Sequence, residues 1–468
     1  QGRSRLVEIT GAVFLLARIA FPLTAAIIMG SGSSAGIQAA VQEATTTDLK
    51  QAFSALSEQD REKLKQAMIE DTCSDMWIRL PNDVGIGGIV ELSPFDRVNT
   101  GRPIPMMWFY TETLDSAALM SALQQTLVAY PVLCGRYASP PTAVELNNAG
   151  VPVQICTAQR PEMPLSEAIA RLPTSPSQTS PCFFEKAAHE QFVPDKARMD
   201  PDTCDPDVPF LSIKITQFPL GGTVIGMLLQ HSIVDADAFI AFVKNWSRVF
   251  RGLELEPAPI HDRCIVNRLS TGDLGAVDKP ENFKIKAVPP GEKNAPEFMG
   301  VFSKISGSQV CVIPFSKAAL EELKVVASGG LEADQYFSID DILTAHVWRA
   351  QCTVRCTQLG LTTDSELSTT CLRACNFRRR TDPPLGAGYC GNGVSHVWTD
   401  LTVRELLAMT PSAVALLLRA GVRALTPEIV AARTHWLLRT QQEGCKTALA
   451  FDQHALTCMI SSWVFDWE

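Results

Sequence analysis

Hydrophobic and polar positions change their period several times along the 468 residues, and those changes divide the chain. From Met76 to about Gly252, short apolar runs of strand type such as "PMMWFYTET" and "PFLSIKITQF" alternate with helical stretches. The clearest helix runs from Asp115 to Tyr130, where Leu119, Leu123 and Leu127 recur every four residues. Residues 253–300 are rich in Pro, Lys, Asp and Glu and lose periodicity, which reads as a crossover linker. From Val301 the pattern resumes with a strand in "QVCVIPFS", helices in "KAALEELKVVAS" and "SIDDILTAHVWRAQCTVRC", and a strand in "LSTTCLRACNF". Two α/β lobes are predicted, residues 76–252 and 301–468.

The amino-terminal pattern is different. Residues 45–75 read as an amphipathic helical linker, restarted at Ser57 and Asp60 by a capping-box signature. Residues 1–44 contain an apolar run from Thr10 to Gly30, about the 20 residues a bilayer requires, with Arg18 and Pro22 near its middle. Three readings stay open: a membrane anchor, which gives residues 10–30 a membrane or membrane-protein contact, the remnant of a targeting presequence, and a buried helix. The chain begins with Gln1 rather than Met, as a processed or partial sequence does.

Composition narrows the classes. With 46% hydrophobic and 19% charged residues the chain has ample core material, which excludes a disordered or fibrous protein. Forty-one basic against 50 acidic residues leave a net charge of −9, which argues against a nucleic-acid partner held by a global positive field. Fourteen cysteines, scattered singly from Cys73 to Cys458, read as reduced, buried thiols in an intracellular compartment, cytoplasmic or organellar. Cys352, Cys356, Cys371 and Cys375 loosely imitate zinc spacing. The first pair sits in a helical pattern and the second in a strand pattern, so core thiols are the preferred reading and no metal is expected. His346 and His435, each beside apolar residues, read as core or interface histidines.

Candidate chemistry concentrates in residues 221–252. A strand over Thr223–Gln230 delivers His231 at its end, Asp235 follows four residues on, and a helix with Phe239, Phe242 and Trp246 on one face comes next. A histidine at a strand terminus is rigidly presented, and an unperturbed pKa of about 6.5 suits a general base. Asp235 suits fixing the loop better than chemistry. The two-position pattern recurs by chance, so a structural histidine is the competing reading.

Several ordered blocks lift this pattern above chance, because the stretch resembles the H-x-x-x-D-G region of the BAHD family of CoA-dependent acyltransferases. The resemblance extends over about 76–468. It includes "VELSPFDRVN", the Y-P-x-L-x-G-R turn at Tyr130–Arg136, "FPLGGTVIGMLLQH", "SIDDILTAHVWRA", and "CNFRRRTDPPLGAGYCGNGV" from Asn376 through Arg378 and Pro384 to Asn392. It implies a chloramphenicol acetyltransferase-like fold of two lobes, each a mixed β-sheet with flanking helices, plus the amino-terminal helical extension. Acyl-CoA would be co-substrate, no cofactor would be permanently bound, and the acceptor would be a small hydroxylated or amine molecule. His231 would take the acceptor's proton in a tunnel between the lobes. In "ISSW", Trp463 would donate on the oxyanion side with Ser461 beside it, and Arg378 and Arg380 would meet a CoA phosphate or, alternatively, pair with a carboxylate.

Two departures stand out. Ala236, followed by Asp237, replaces the family's Gly after the motif Asp, and no D-F-G-W-G follows Trp463, so the second lobe reads as incomplete at its carboxyl end. They motivate a second reading, a catalytically silent acyltransferase-like scaffold subunit of a membrane-associated assembly. A condensation domain acting on carrier-bound thioesters shares the histidine motif.

Overall fold

The computed structural model describes residues 72–81, 84, 86–100, 103–158, 192–194, 207–270, 275, 278–292, 315–449 and 456–463. The apolar run at 10–30, the linker up to residue 71 with its Ser57–Asp60 box, and the strand predicted before Phe315 lie outside them. Among the described residues, no helix is long and apolar enough to cross a membrane.

The first half forms β1 (Thr72–Ile78), β2 (Ile89–Glu91), α1 (Pro94–Val98), β3 (Pro103–Tyr110), α2 (Ser116–Ala129), β4 (Arg136–Tyr137), β5 (Ala143–Glu145), β6 (Val151–Thr157), β7 (Leu211–Gln217), β8 (Thr223–Gln230) and α3 (Ala236–Phe250). Next come α4 (Cys264–Asn267), β9 (Ile285–Val288), α5 (Lys317–Ser328), α6 (Ile339–Leu359), β10 (Ser368–Asn376) and β11 (Val394–Thr402). Then follow α7 (Val403–Ala408), α8 (Pro411–Arg423), α9 (Pro427–Gln442), β12 (Lys446–Leu449) and β13 (Thr457–Ile460).

A five-stranded mixed sheet of order β1-β6-β7-β8-β3 organises the first lobe. Every residue of β8 is buried. Its Ile225, Met227 and Leu229 meet Leu119, Leu123 and Leu127 of α2 and Phe239, Phe242 and Trp246 of α3. Burying each such side chain contributes about 1.5–3 kcal/mol before entropy is charged, so the strand that ends at His231 is among the firmest elements of the lobe. Residues 72–75, expected to close the helical linker, are instead the start of β1. They pair antiparallel with β6, and Cys73 lies directly opposite Cys156, to which it is disulfide-bonded. That bond corrects the expectation that all the cysteines are reduced.

The second lobe carries a three-stranded sheet of order β11-β10-β13. Trp348, Cys352 and Cys356 of α6, Leu418 of α8, and Cys371 and Cys458 of the sheet share one buried cluster. Cys375 is buried in a different one. The quartet with zinc-like spacing is thus divided between two apolar clusters, as core thiols are. Capping explains where α6 stops and starts: Ser338 and Asp341 form a reciprocal box at its start, and Gly360 closes it at φ 66°.

A third cluster joins the halves. Phe95 and Val98 of α1 pack with Phe283, Ile285, Phe377, Trp398, Trp436 and Leu449. β9 pairs with β12, and Gln441 donates to the Pro94 carbonyl at 3.0 Å. The segment 253–300, expected to be a crossover linker, supplies a helix, a strand and core side chains. Its lack of period reflects short elements embedded in a shared core, too brief for periodicity to register.

Candidate active site

Five consecutive residues, His231 to Asp235, form the turn between β8 and α3. Four of them are buried, and His231 is only partly so. The sequence dictates the geometry locally: β8 runs out after Gln230, Ile233 N–H closes a turn onto the Gln230 carbonyl at 2.9 Å, and Asp235 caps α3 by accepting from Ala238 N–H at 3.0 Å. Ala236, which replaces the family's Gly, is the first helical residue. A helical position makes no demand for positive φ, so alanine answers the backbone need there.

Four of the turn's five residues are held from outside. Asn392 Nδ2 donates to the His231 carbonyl at 2.6 Å. The hydroxyls of Ser232 and Tyr137 share a short hydrogen bond. Arg263 Nη2 donates to the Ile233 carbonyl at 2.7 Å. Arg378 forks onto Asp235, Nη1 to Oδ2 at 2.7 Å and Nη2 to Oδ1 at 2.8 Å, and Gly393 N–H reaches the same Oδ2 at 2.8 Å. The Asp235 oxygens face Arg378, Gly393 and the start of α3, so its contacts here fix the turn. A Cβ on Gly393 would sit 2.6 Å from Arg378 Nη1, so only glycine lets the fork lie against that backbone.

Behind this layer lies a second, wholly buried one. Asp96, in a capping box with Ser93, pairs with Arg263 at 2.8 Å, and both side chains are completely sequestered. Its other oxygen accepts from the Asn392 backbone and side chain, each at 2.8 Å. Asn99 Nδ2 in turn donates to Asn392 Oδ1 at 3.2 Å. Asp96, Asn99, Arg263 and Asn392 thus fix the turn through its carbonyls, and none was assigned a site role on sequence grounds. The Ser93-x-x-Asp96 box and the Asn392 of "GYCGNG" were readable signals. Arg263, a lone basic residue in the aperiodic segment, gave none.

Arg378 is 7% exposed and also donates to the carbonyls of Tyr389 and Gly391 at 3.1 and 2.9 Å. Its assignment to a CoA phosphate is corrected: carboxylate pairing, the other reading of this residue, is what the fold shows. Arg380 is anchored through Nη1 to the Val422 and Leu425 carbonyls at 2.9 and 3.3 Å, at the end of α8. Beside the fork, burial raises the Asp237 carboxyl, and neighbouring Asp235 adds to the effect, while Arg378 and a hydrogen bond from Asn376 oppose it.

Trp463 and Ser461 come from the opposite lobe. β13 pairs in parallel with β10, and the chain leaves the sheet at Ile460. Trp463 then packs against the core cluster of the first lobe. Its indole Nε1–H donates to Ser461 Oγ at 3.0 Å. The turn with His231 and the segment with Ser461 are thus supplied by different sheets.

Comparison with known proteins agrees with this architecture. Agmatine hydroxycinnamoyltransferase 1 from Oryza sativa subsp. japonica is 26% identical over 328 residues, covering 69% of this chain and 67% of the relative. The fatty alcohol:caffeoyl-CoA acyltransferase of Arabidopsis thaliana is 24% identical over 351 residues, with 74% and 72% covered. The crystal structure of F. graminearum TRI101 complexed with coenzyme A and deoxynivalenol superposes with a TM-score of 0.57 at 18% identity, covering 80% of this chain and 84% of that one. The mixed α/β arrangement is therefore the chloramphenicol acetyltransferase-like one. The family model described as Transferase family matches residues 87–466, and the chain belongs to that family, the BAHD acyltransferases.

Proposed function

We propose that this protein transfers an acyl group from acyl-CoA to a hydroxyl or amine of a small acceptor, with His231 as general base. The observation that carries the reading is the clamped turn: an ion pair, a shared hydroxyl bond and two carbonyl contacts fix its backbone, while the imidazole alone among its side chains is not buried. A precisely held base is what proximity demands of proton transfer. Names of relatives that specify agmatine and a fatty alcohol support both acceptor types, and the second names a CoA thioester donor.

In the reaction, the imidazole takes the acceptor's O–H or N–H proton as that atom attacks the thioester carbonyl. A new C–O or C–N bond forms and the carbonyl becomes a tetrahedral oxyanion. Collapse breaks the C–S bond, and the imidazolium returns its proton to the departing CoA thiolate. No covalent acyl-enzyme is needed. Because the Trp463 indole donates to Ser461 Oγ, the hydroxyl hydrogen of Ser461 is the donor for the oxyanion, and Trp463 acts through it.

The activity itself is tested by incubating the protein with acetyl-, benzoyl- and hydroxycinnamoyl-CoA and a panel of alcohols and amines that includes agmatine and long-chain alcohols, following acylated product by mass spectrometry. Acceptor-dependent product is expected. A chain that binds acyl-CoA yet never turns over would favour the silent scaffold. The relay makes a sharper prediction. Ser461→Ala is expected to lower kcat by about 10²- to 10³-fold, and Trp463→Phe by somewhat less. The double variant should be no slower than Ser461→Ala, since residues acting as one unit are not additive. Multiplicative losses would show that the two donate independently.

A further inference from the structure

Just beyond β13, the chain turns from the second sheet toward the first lobe, and Ser461 and Ser462 are both exposed there. Four residues of parallel pairing with β10 end at Ile460, opposite Arg373. What holds the next residues is a side-chain contact: Ser462 Oγ donates to Asp340 Oδ1 at 2.5 Å. Asp340 stands in the first turn of α6, and its other oxygen is engaged by Arg373 Nη2. Arg373 is itself fixed, because its Nη1 bonds Asp341 Oδ1 at 2.7 Å. Asp341 is completely buried, caps α6 with Ser338, and accepts from Arg419 Nε of α8 at 2.8 Å. The carboxylate of Asp340 is therefore oriented by a network anchored on α6, α8 and β10, with one oxygen left to take Ser462.

We infer that Asp340, oriented by Arg373, is a positioning residue that sets the Ser461–Trp463 segment through Ser462. This inference rests on the oxyanion role proposed for that segment. The physical reason is leverage. The two exposed serines that precede Trp463 in this crossing segment have little packing of their own on the side the chain leaves. One charge-assisted hydrogen bond at Ser462 fixes the direction in which Ser461 and the indole approach the first lobe. Displacing an oxyanion donor by even a fraction of an ångström weakens it in the transition state more than in the ground state, so the effect should fall on kcat.

The test is a kcat-against-KM comparison on the full chain with one productive acyl-CoA and acceptor pair. Ser462→Ala and Asp340→Ala should each lower kcat about tenfold, leave both KM values within about twofold, and shift the thermal midpoint little, since Arg373 keeps Asp341. Ser462→Thr, which keeps the hydroxyl, should restore kcat to within about twofold of wild type. In a Trp463→Phe/Ser461→Ala background, Ser462→Ala should change nothing further. If Trp463→Phe and Ser461→Ala depress kcat while Ser462→Ala and Asp340→Ala do not, the positioning role is overturned and the oxyanion assignment stands. If Ser461→Ala and Trp463→Phe are themselves silent, the oxyanion assignment has failed, and the positioning role falls with it.

Discussion

His231→Ala should reduce kcat by about 10²- to 10⁴-fold, the range that a positioned general base contributes, with KM for the acyl-CoA nearly unchanged. The substitution is clean for a structural reason. The backbone carbonyl at this position receives Asn392 Nδ2 whatever the side chain is, so that anchor of the turn survives in the variant. His231 is also partly exposed, so removing its ring leaves no large internal cavity. Circular dichroism and thermal midpoint should match wild type while steady-state rates collapse. Activity in the alanine variant within a few-fold of wild type would remove His231 from the chemistry and return it to the structural-histidine reading. His261 is a built-in control: its Nε2 lies 2.8 Å from the Ala129 carbonyl, and burial holds its pKa below the usual histidine value. His261→Gln should leave turnover per folded molecule close to wild type.

How much of this was legible in the sequence depends on whether the relevant interaction is local. The strand–His–turn–helix unit is written in contiguous residues, and so is the four-residue leucine spacing of α2, and both appear where the pattern places them; the Ser338–Asp341 box is equally local, although periodicity did not single it out. Helices α8 and α9 begin at Thr410-Pro411 and Thr426-Pro427, a capping hydroxyl followed by proline, so they too were locally encoded, although periodicity had given no element there. The partners of the turn are different in kind. Arg378 and Asp235 are 143 residues apart, and Asn392 and Asp96 are separated by 296. Only the folded sheet packing decides that an arginine in a strand-like run meets a carboxylate instead of a phosphate. The same holds for Cys73, whose strand becomes evident only when it finds β6, and for Arg263, whose aperiodic segment conceals a completely buried ion pair in the site.

The second large effect is expected on stability, and it separates the two roles considered for Arg378. Arg378→Met would leave the Asp235 carboxylate, 1% exposed, without its counter-ion. Breaking a buried pair from one side typically costs about 3–5 kcal/mol, because an uncompensated charge remains in a site that water reaches poorly. Denaturant titration should report a loss of that size, and activity should fall with it, since Asp235 caps α3 and ends the turn that carries the proposed base. Arg378→Lys should recover only part of the loss: a lysine supplies the charge but not the fork that meets both carboxylate oxygens and the Tyr389 and Gly391 carbonyls. Asp235→Asn combined with Arg378→Met removes both charges and should be more stable than Arg378→Met alone, although the cap and the turn are weakened. A phosphate ligand behaves in the opposite way. Its removal raises KM for acyl-CoA and leaves the folded state untouched or slightly more stable, because a cation that awaits a ligand has no partner to abandon. The discriminating measurement is therefore the pair of numbers, denaturation free energy and KM for acyl-CoA, on the same Arg378→Met preparation. A large loss in the first with little change in the second is the signature of the interlobe clamp. The reverse would place Arg378 at the coenzyme after all.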